Sequence, residues 1–308
     1  MKKISLVIPC YNEEQVINML YTETKTILES IKEKYDYEFI FIDDGSKDNT
    51  LEKLKQLRNQ DNKINIISFS RNFGKEAGIY AGLNNAMGDL VVIMDADLQH
   101  PPKIILEMVQ GIEEGYDTVT TRRKNRKGEP VIKSAFSKLF YKIMSKIIDF
   151  ELLQGAQDFR MMKREVVDAI ISLKEYNRFS KGIFSWVGFK VKYIEIDNIE
   201  RVAGKTKWSF KSLFKYAIEG ILSFSTVPLR ISTILGLLIS IIAIIATCII
   251  IGQTIIFGKD VPGYASIITA VLFMGGVQLI CIGIIAEYIS KMYLEIKGRP
   301  KYIIREKI

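Results

Sequence analysis

The sequence predicts an α/β fold with a doubly wound, mostly parallel sheet, followed by amphipathic membrane-surface helices and two transmembrane helices. Short apolar segments alternate with amphipathic helical segments through the first 120 residues. Two runs without a charged residue follow, at 231–257 and 264–286. Each run exceeds the about 20 apolar residues that a helix needs to cross the core of a bilayer. We therefore expect a layered α/β domain and a two-helix membrane anchor in one chain.

The predicted strands are continuous apolar segments rich in Ile, Val and Phe, and the predicted helices lie between them. This alternation is typical of parallel strands that helices cover on both faces. The strands are expected at Ile4–Ile8, Glu38–Ile42, Ile64–Phe69, Leu90–Met94, Asp117–Thr121 and Lys190–Ile196. The helices are expected at Glu13–Lys34, Asn49–Asn59, Lys75–Met87 and Pro101–Glu114.

The composition excludes a purely soluble protein, a disordered chain and a disulfide-stapled secreted domain. Of the 308 residues, 48% are hydrophobic and 25% are charged, yet the mean hydropathy is +0.12. Soluble domains with that much charge usually have a mean hydropathy below zero. The three cysteines, Cys10, Cys248 and Cys281, lack zinc-type spacing and are expected to be reduced. The apolar segment before Pro9 is too short for a signal peptide, so the N-terminal domain is expected in the cytoplasm.

Each of the first four predicted strands ends in a cluster of polar residues. The clusters are 9–13, 43–46, 70–75 and 95–100. In open α/β sheets, ligands bind in the crevice beyond the carboxyl ends of the strands. The four clusters are therefore expected to converge on one ligand site.

Asp95 and Asp97 are the candidate metal ligands. They follow a buried strand, and side chains two residues apart on a strand point to the same side. Mg²⁺ or Mn²⁺ usually takes one or two carboxylates together with substrate phosphate oxygens and water. Turn formation is the alternative role for such a pair, but the position beside three other polar clusters favours a metal site.

Other residues of the clusters admit two interpretations each. Asp43 and Asp44 suit either a turn with a helix cap or recognition of a nucleotide base or ribose. Arg71 and Lys75 suit either surface cations or a diphosphate site at the opening of the next helix. His100, the single histidine, suits either a metal or phosphate contact or a helix start.

A basic amphipathic helix is expected at about 131–148. Nine Lys or Arg and one acid lie between Arg122 and Lys146, and apolar residues recur at helical spacing in the second half of this segment. In a chain with membrane spans, such a helix is typical of one that lies on the anionic membrane surface. An ordinary core-packed helix with solvated lysines is the alternative.

Charge predicts the orientation of the spans. The loop between them contains only Lys259 and Asp260 as charged residues, whereas the tail is basic. The positive-inside rule therefore places both termini in the cytoplasm. These juxtamembrane cations account for much of the net charge of +8, and no nucleic-acid-binding motif accompanies them. The expected parts are a cytoplasmic domain at 1–207, a juxtamembrane amphipathic helix at 208–230, two transmembrane helices within 231–290 and a basic tail at 291–308.

Several motifs together resemble one enzyme family. "VIPCYNEE", "FIDDGSKDNT", "FSRNFGKEAGIYAGL" and "MDADLQHPP" are similar to the family 2 inverting glycosyltransferases with the GT-A fold. "GAQDFRMM", "ERVAGKTKW" and "AEYISKMYLEIKGRPKY", with two spans, resemble the bacterial polyisoprenyl-phosphate glycosyltransferases of the bactoprenol-phosphate glucosyltransferase type, which are related to dolichol-phosphate mannose synthase. The resemblance covers nearly the whole chain, and it makes 1–207 the GT-A catalytic domain.

The resemblance implies roles for individual residues. His100 departs from the commonest glucosyl pattern, in which Asp is frequent at that position. The residues implied to bind the nucleotide sugar are Pro9, Tyr11, Asn12, Glu13, Asp43, Asp44, Arg71, Lys75, Asp95, Ala96 and Gln99. Asp95 and Asp97 would hold the metal, Asp158 and Asp97 would be catalytic, and Arg160, Arg201, Lys205 and Lys207 would bind the acceptor phosphate.

The role of Asp158 has several alternatives. A lipid phosphate is already an anion near pH 7, with a second pKa around 6 if it behaves like other phosphate monoesters. A carboxylate beside it could accept the remaining proton, orient the sugar or stabilise positive charge at the anomeric carbon. A purely structural role, as a strand cap or as a partner of Arg160, is the other alternative.

The implied reaction is transfer of glucose from UDP-glucose to undecaprenyl phosphate, with inversion, at the inner membrane of a bacterium. The product would serve modification of a cell-envelope glycan, and the resemblance suggests a homotetramer. UDP-N-acetylhexosamine, GDP-mannose or a UDP-aminoarabinose type are alternative donors. A processive polysaccharide synthase should carry a Gln-x-x-Arg-Trp motif, which this sequence lacks. A non-catalytic membrane scaffold could dispense with Asp95 and Asp97, which are both present.

Overall fold

The computed structural model describes residues 1–124, 142, 144–148, 150, 155–196, 218, 220–257 and 263–308. The chain divides into two compact units. One comprises Met1–Ala217 together with Arg299–Ile308, and the other comprises Ile218–Gly298. The C-terminal tail therefore belongs to the same unit as the N-terminal domain.

The first unit is built on an eight-stranded sheet in the order β7-β5-β6-β4-β1-β2-β3-β8. Six strands run in one direction, while β6 and β8 run antiparallel to their neighbours. The predicted doubly wound, mostly parallel sheet is thus confirmed. The strands are β1 (Lys2–Cys10), β2 (Tyr35–Asp43), β3 (Ile64–Phe69), β4 (Leu90–Ile93), β5 (Thr118–Arg123), β6 (Ala156–Lys163), β7 (Val191–Ile196) and β8 (Ile304–Lys307).

Helices connect these strands, and their apolar faces complete the core. The four helices that the sequence predicts are present, although the first begins later and ends earlier than expected. The helices of this unit are α1 (Ile17–Glu29), α2 (Thr50–Gln60), α3 (Lys75–Asn85), α4 (Ile104–Glu113), α5 (Arg164–Ser172) and α6 (Ser180–Trp186).

Helix α3 packs very close to the central strand β1. A Cβ added at Gly82 would lie only 2.1 Å from Val7 Cγ1, so the approach requires glycine. Because α3 begins at Lys75, this packing helps to fix the position of Lys75 at the carboxyl end of the sheet.

Strands β6 and β8 were absent from the prediction. The register of β6 pairs Ile93, the last residue of β4, with Arg160. Since β6 is antiparallel, its first residues lie at the edge of the sheet where β4 ends. The expected basic tail also forms the edge strand β8, which pairs Ile67 with Lys307.

The second unit contains two long apolar helices, α7 (Val227–Phe257) and α8 (Tyr264–Ile296). Within them, Val227–Gln253 and Thr269–Ile296 are long and apolar enough to cross a membrane. Tyr288 Oη, on α8, donates a hydrogen bond of 2.6 Å to the Ser225 carbonyl before α7. Most of the expected helix at about 131–148, and residues 208–217 of the juxtamembrane helix, lie outside the described residues.

Candidate active site

The polar loops after β1 and β2 are held together by hydrogen bonds. The Asp44 amide donates to the Cys10 carbonyl at 2.9 Å, and the Asn12 amide donates to Ser46 Oγ at 3.0 Å. Asn12 Oδ1 in turn accepts from the Lys47 amide at 2.8 Å. Asn12 has φ of 57°, a left-handed conformation that Asn tolerates better than most residues. The first two predicted clusters therefore do converge.

Asp43 is buried and has both carboxylate oxygens in hydrogen bonds. Oδ1 accepts from the Ser46 amide at 3.0 Å, and Oδ2 accepts from Ser68 Oγ at 2.7 Å. Ser68 is on β3, so Asp43 joins the ends of two neighbouring strands.

Asp44 holds the loop that precedes α3. Its two oxygens accept from the amides of Phe73 and Gly74 at 2.6 and 2.9 Å. Burial raises the pKa of this carboxyl above its ordinary value. The next residue, Gly45, has φ of +65°, and an added Cβ would lie 2.5 Å from the carbonyl carbon of Arg71. These contacts give Asp44 a structural role in shaping the third cluster.

Lys75 joins the third cluster to the fourth cluster and to β6. Its ammonium lies 2.7 Å from Asp95 Oδ1 and 2.6 Å from Asp158 Oδ2. Burial alone would lower the pKa of Lys75, but Asp158 and Asp95 outweigh it and raise that pKa. The structure thus brings together three residues that lie far apart in the sequence and that were all predicted to act at the site.

Asp158 is surrounded by cations. Burial alone would raise the pKa of its carboxyl, but the charges of Lys75, Lys181 and Arg160 hold it well below its usual range. The side chain is 18% exposed. Asp158 is therefore an ionised carboxylate at neutral pH, with little affinity for a proton.

Arg160 is a buried cation of this cluster, with a residue exposure of only 5%. Its Nη2 donates to the Gln157 carbonyl at 2.7 Å, and its guanidinium lies 3.6 Å from the centre of the Phe184 ring. Burial lowers the pKa of Arg160 to about 10. Nε is buried and lacks a hydrogen-bond partner among the described residues. Its charge acts on Asp158, and its predicted contact with the acceptor phosphate stays a prediction.

His100 is also inside the fold. Its Nε2 contacts Gln157 Oε1, and its ring packs against Phe159 with centroids 5.3 Å apart. Burial lowers the pKa of the imidazole. These contacts favour a neutral, packed side chain.

Asp95 and Asp97 suit a hard divalent cation by the chemistry of their donor atoms. Asp95 is 26% exposed in its side chain, and Asp97 Oδ1 accepts from the Gln99 amide at 3.2 Å. Between them Ala96 is buried. Across the described parts of the chain, no group of three or more His, Cys, Asp or Glu side chains could hold a metal. The pair would therefore need substrate oxygens or water to complete a coordination shell.

Glu76 and α6 are parts of the site that sequence reasoning missed. Glu76 Oε2 accepts from the Ser180 amide at 3.3 Å and also from Ser180 Oγ. Burial raises the pKa of Glu76 to about 7, with a smaller contribution from the charge of Asp158. The contact joins the start of α3 to the start of α6. Its only sequence signal was the position of Glu76 directly after Lys75.

The remaining predicted residues are not part of the ion-pair cluster of Lys75, Asp95 and Asp158. Arg71 is exposed, donates to the Asn72 carbonyl at 2.9 Å and lies 4.0 Å from the centre of the Phe73 ring. Pro9, Tyr11 and Glu13 lie at the end of β1 or just after it. The predicted acceptor-site cations Arg201, Lys205 and Lys207 lie outside the described residues.

Comparison with known proteins identifies the family of the chain. Residues 5–171 match glycosyl transferase family 2, and residues 227–292 match the GtrB C-terminal hairpin. CsbB of Bacillus subtilis (strain 168) is 47% identical, over 98% of this chain and 91% of that protein. The bactoprenol glucosyl transferase of Shigella phage SfII is 43% identical, over 99% of this chain and 98% of that protein.

A solved structure is also similar. The mannosyltransferase from Pyrobaculum calidifontis, in complex with GDP-mannose and Mn²⁺, has a TM-score of 0.48 and 14% identity, over 95% of this chain and 85% of that chain. The family 2 match covers more than half of the chain, and the alignments with the two relatives cover nearly all of it. This chain therefore belongs to glycosyl transferase family 2 and is a glycosyltransferase with a GtrB-type C-terminal hairpin.

Proposed function

We propose that the enzyme transfers glucose from UDP-glucose to undecaprenyl phosphate, with inversion at the anomeric carbon. The observation that carries the proposal is the contact of Lys75 with both Asp95 and Asp158, at the carboxyl ends of the strands. Relatives named bactoprenol glucosyl transferase, 43% identical over nearly the full length, support the lipid acceptor and the sugar. The product would serve modification of a cell-envelope glycan.

In the proposed reaction, an oxygen of the lipid phosphate attacks the anomeric carbon of the sugar. The bond from that carbon to the diphosphate breaks, and UDP leaves with the electron pair. Asp158, as an ionised carboxylate, would stabilise positive charge at the anomeric carbon and orient the sugar. Lys75 stands beside it, where a cation can offset the charge of the departing diphosphate.

A divalent cation, Mg²⁺ or Mn²⁺, would be held by Asp95 and Asp97. When bound, it supplies positive charge that stabilises the diphosphate as a leaving group. The two partly exposed carboxylates fit such an ion, and the diphosphate would provide further oxygen ligands.

Arg201, Lys205 and Lys207 would bind the acceptor phosphate. They are close in sequence to the first apolar helix, and no acid lies among residues 201–208. Replacing Arg201 with Ala should raise the KM for lipid phosphate severalfold while the affinity for UDP-glucose is unchanged. A loss of donor affinity instead would assign Arg201 to the nucleotide site.

The function is tested by measuring UDP release from the purified enzyme in detergent. Release should require both UDP-glucose and undecaprenyl phosphate, and a panel of UDP-N-acetylhexosamine, GDP-mannose and UDP-aminoarabinose-type donors should be turned over more slowly. Faster turnover of another donor would replace glucose in the proposal. Release that is independent of the lipid would contradict the proposed acceptor.

We also propose that the catalytic unit and both termini lie in the cytoplasm. Residues 299–308 belong to the same compact unit as residues 1–217, and two helices able to cross a membrane lie between them. Two crossings return a chain to the side from which it started, and the positive-inside rule selects the cytoplasm. Homo-oligomerisation, which the family resemblance suggests, stays a prediction that light scattering of the purified protein can test.

Cysteine labelling in intact cells can test this topology. A cysteine introduced at Lys259 should react with an impermeant thiol reagent, because the loop between the spans is expected outside. A cysteine at the exposed Arg305 should react only after the cells are permeabilised. The opposite labelling pattern would overturn the topology and the cytoplasmic donor site with it.

A further inference from the structure

The C-terminal tail is hydrogen-bonded to β3, the strand that precedes the loop at 70–74. The Ile308 carbonyl accepts from the Ile66 amide at 2.8 Å, and the Ile308 amide donates to the Ile66 carbonyl at 2.9 Å. The Ser70 amide donates to the Ile303 carbonyl at 3.0 Å. Ser70 is the first residue after β3, so the tail continues its pairing into the third polar cluster.

Aromatic packing extends this contact into the loop. The ring of Tyr302 stacks on that of Phe69, with centroids 4.9 Å apart and an interplanar angle of 15°. Phe69 meets the edge of Phe73 at 5.8 Å. Phe73 is the residue whose amide Asp44 holds. Tyr302, Phe69 and Phe73 therefore form one aromatic row that links the tail to the loop.

The tail also contacts α3, the helix that begins at Lys75. Lys301 Nζ lies 3.8 Å from the centre of the Tyr80 ring, and the Tyr302 ring meets Tyr80 at 6.5 Å. Near the other end of α3, Lys307 Nζ donates to Asn85 Oδ1 at 2.8 Å. The tail thus contacts β3, the loop at 70–74 and α3, and the last two lead to and contain Lys75.

We propose that Tyr302 is a positioning residue for the donor, because the tail fixes the loop at 70–74 and the start of α3 in the conformation that binds the nucleotide diphosphate. This inference rests on the proposed donor site. Asp44 holds the loop from the side of β2, and Tyr302 supports it from the side of β3. The tail starts directly after Gly298, where the second unit ends.

The test compares UDP affinity in full-length variants, measured by calorimetry without acceptor. Tyr302→Ala should weaken UDP binding by about 3- to 10-fold, the range expected when a stacked aromatic pair is lost. Tyr302→Phe keeps the ring and should bind UDP like the wild type. Ile303→Ala is the matched control, because the adjacent side chain is 53% exposed and its backbone bond to Ser70 is unaffected.

A second readout separates positioning from a general loss of stability. Hydrogen exchange of the wild type should slow at Ser70 and Ile308 when UDP binds, because coupling between two sites is reciprocal. In Tyr302→Ala, the KM for lipid phosphate should stay within about twofold. If Tyr302→Ala does not fold, Tyr302→Leu replaces it in the comparison.

Three results would overturn the inference. The first is unchanged UDP affinity in a folded Tyr302→Ala or Tyr302→Leu variant. The second is a loss of UDP affinity in Ile303→Ala that equals the loss in Tyr302→Ala. The third is slower hydrogen exchange at Ser70, but not at Ile308, when UDP binds to the wild type. Each leaves the proposed function intact if the wild type still binds UDP. Absence of UDP binding by the wild type would overturn both.

Discussion

Replacing Asp158 with Asn is expected to lower kcat by about 10²–10³-fold while UDP-glucose still binds. The range is that seen when one preorganised electrostatic group is removed from a transition state. Asp158 is held ionised by Lys75, Lys181 and Arg160, so its negative charge is available at the reaction centre. Asn keeps the size and loses the charge. Steady-state kinetics and calorimetric binding of UDP-glucose measure the two effects separately.

The pH dependence distinguishes two roles for Asp158. Efficient general bases have a pKa near the working pH, whereas the pKa of Asp158 lies well below its ordinary value. Its role is thus expected to be charge stabilisation and orientation. The deficit of Asp158→Asn should persist between pH 7 and 9, although the acceptor phosphate is then fully ionised. Recovery of most of the rate at pH 9 would instead identify proton transfer as its role.

Asp168→Asn is the matched control for this experiment. Asp168 is on α5, its side chain is 57% exposed, and its ion pair with Arg164 has a separation of 3.8 Å. Its replacement should leave kcat within about twofold of the wild type. A near wild-type kcat in Asp158→Asn at neutral pH would contradict every catalytic role proposed for that residue.

Removal of the divalent cation is expected to abolish most turnover. EDTA, or Asp97→Asn, should have this effect while the catalytic unit stays folded, because the diphosphate would leave without the charge that the ion supplies. Circular dichroism and thermal unfolding check that the fold is retained. Full activity of the purified enzyme in EDTA would contradict the metal site.

Metal binding itself gives an independent measurement. Lys75 would compete with a divalent cation for Asp95, because its ammonium lies 2.7 Å from Asp95 Oδ1 and two positive charges so close repel each other. Lys75→Met should therefore tighten Mn²⁺ binding to the protein alone by about 2- to 5-fold, an effect typical of a partly exposed ion pair, and lower turnover. The control is Lys163→Met, because Lys163 pairs with Asp117 at the same 2.7 Å but at the other ends of the strands, where β6 ends and β5 begins. Unchanged Mn²⁺ affinity in Lys75→Met would contradict the competition.

The central parallel strands, β1 to β4, were predictable because they are buried on both faces. Strands such as β1 and β2 consist of continuous apolar residues, and this composition is visible in the sequence. Strand β6 was not predictable in the same way. Its segment, AQDFRMMK, contains charged residues that the site and the strand end accommodate. Strand β8, IREK, has no apolar signal, since it lies at an edge and is exposed on three of its four residues.

The site residues that follow the ends of predicted strands could be identified from the sequence. The site residues whose position depends on which strands pair in the sheet could not. The polar clusters after β1 to β4 indicated one edge, and their loops do meet there. The antiparallel register of β6, which brings Asp158 to Lys75, depends on the three-dimensional sheet. Glu76 and Tyr302 were missed because a hydrogen-bond acceptor and a stacked ring have no local sequence pattern.

The most direct test of the proposed reaction is the mass and anomeric configuration of the lipid product. Purified enzyme incubated with UDP-α-glucose, undecaprenyl phosphate and Mg²⁺ should yield one lipid phosphate that is heavier by a single hexose residue. Its anomeric coupling in nuclear magnetic resonance spectra should be that of a β-linked sugar, as inversion requires. An α-linked product, a chain of several sugars, or free glucose without a lipid product would contradict the proposed reaction.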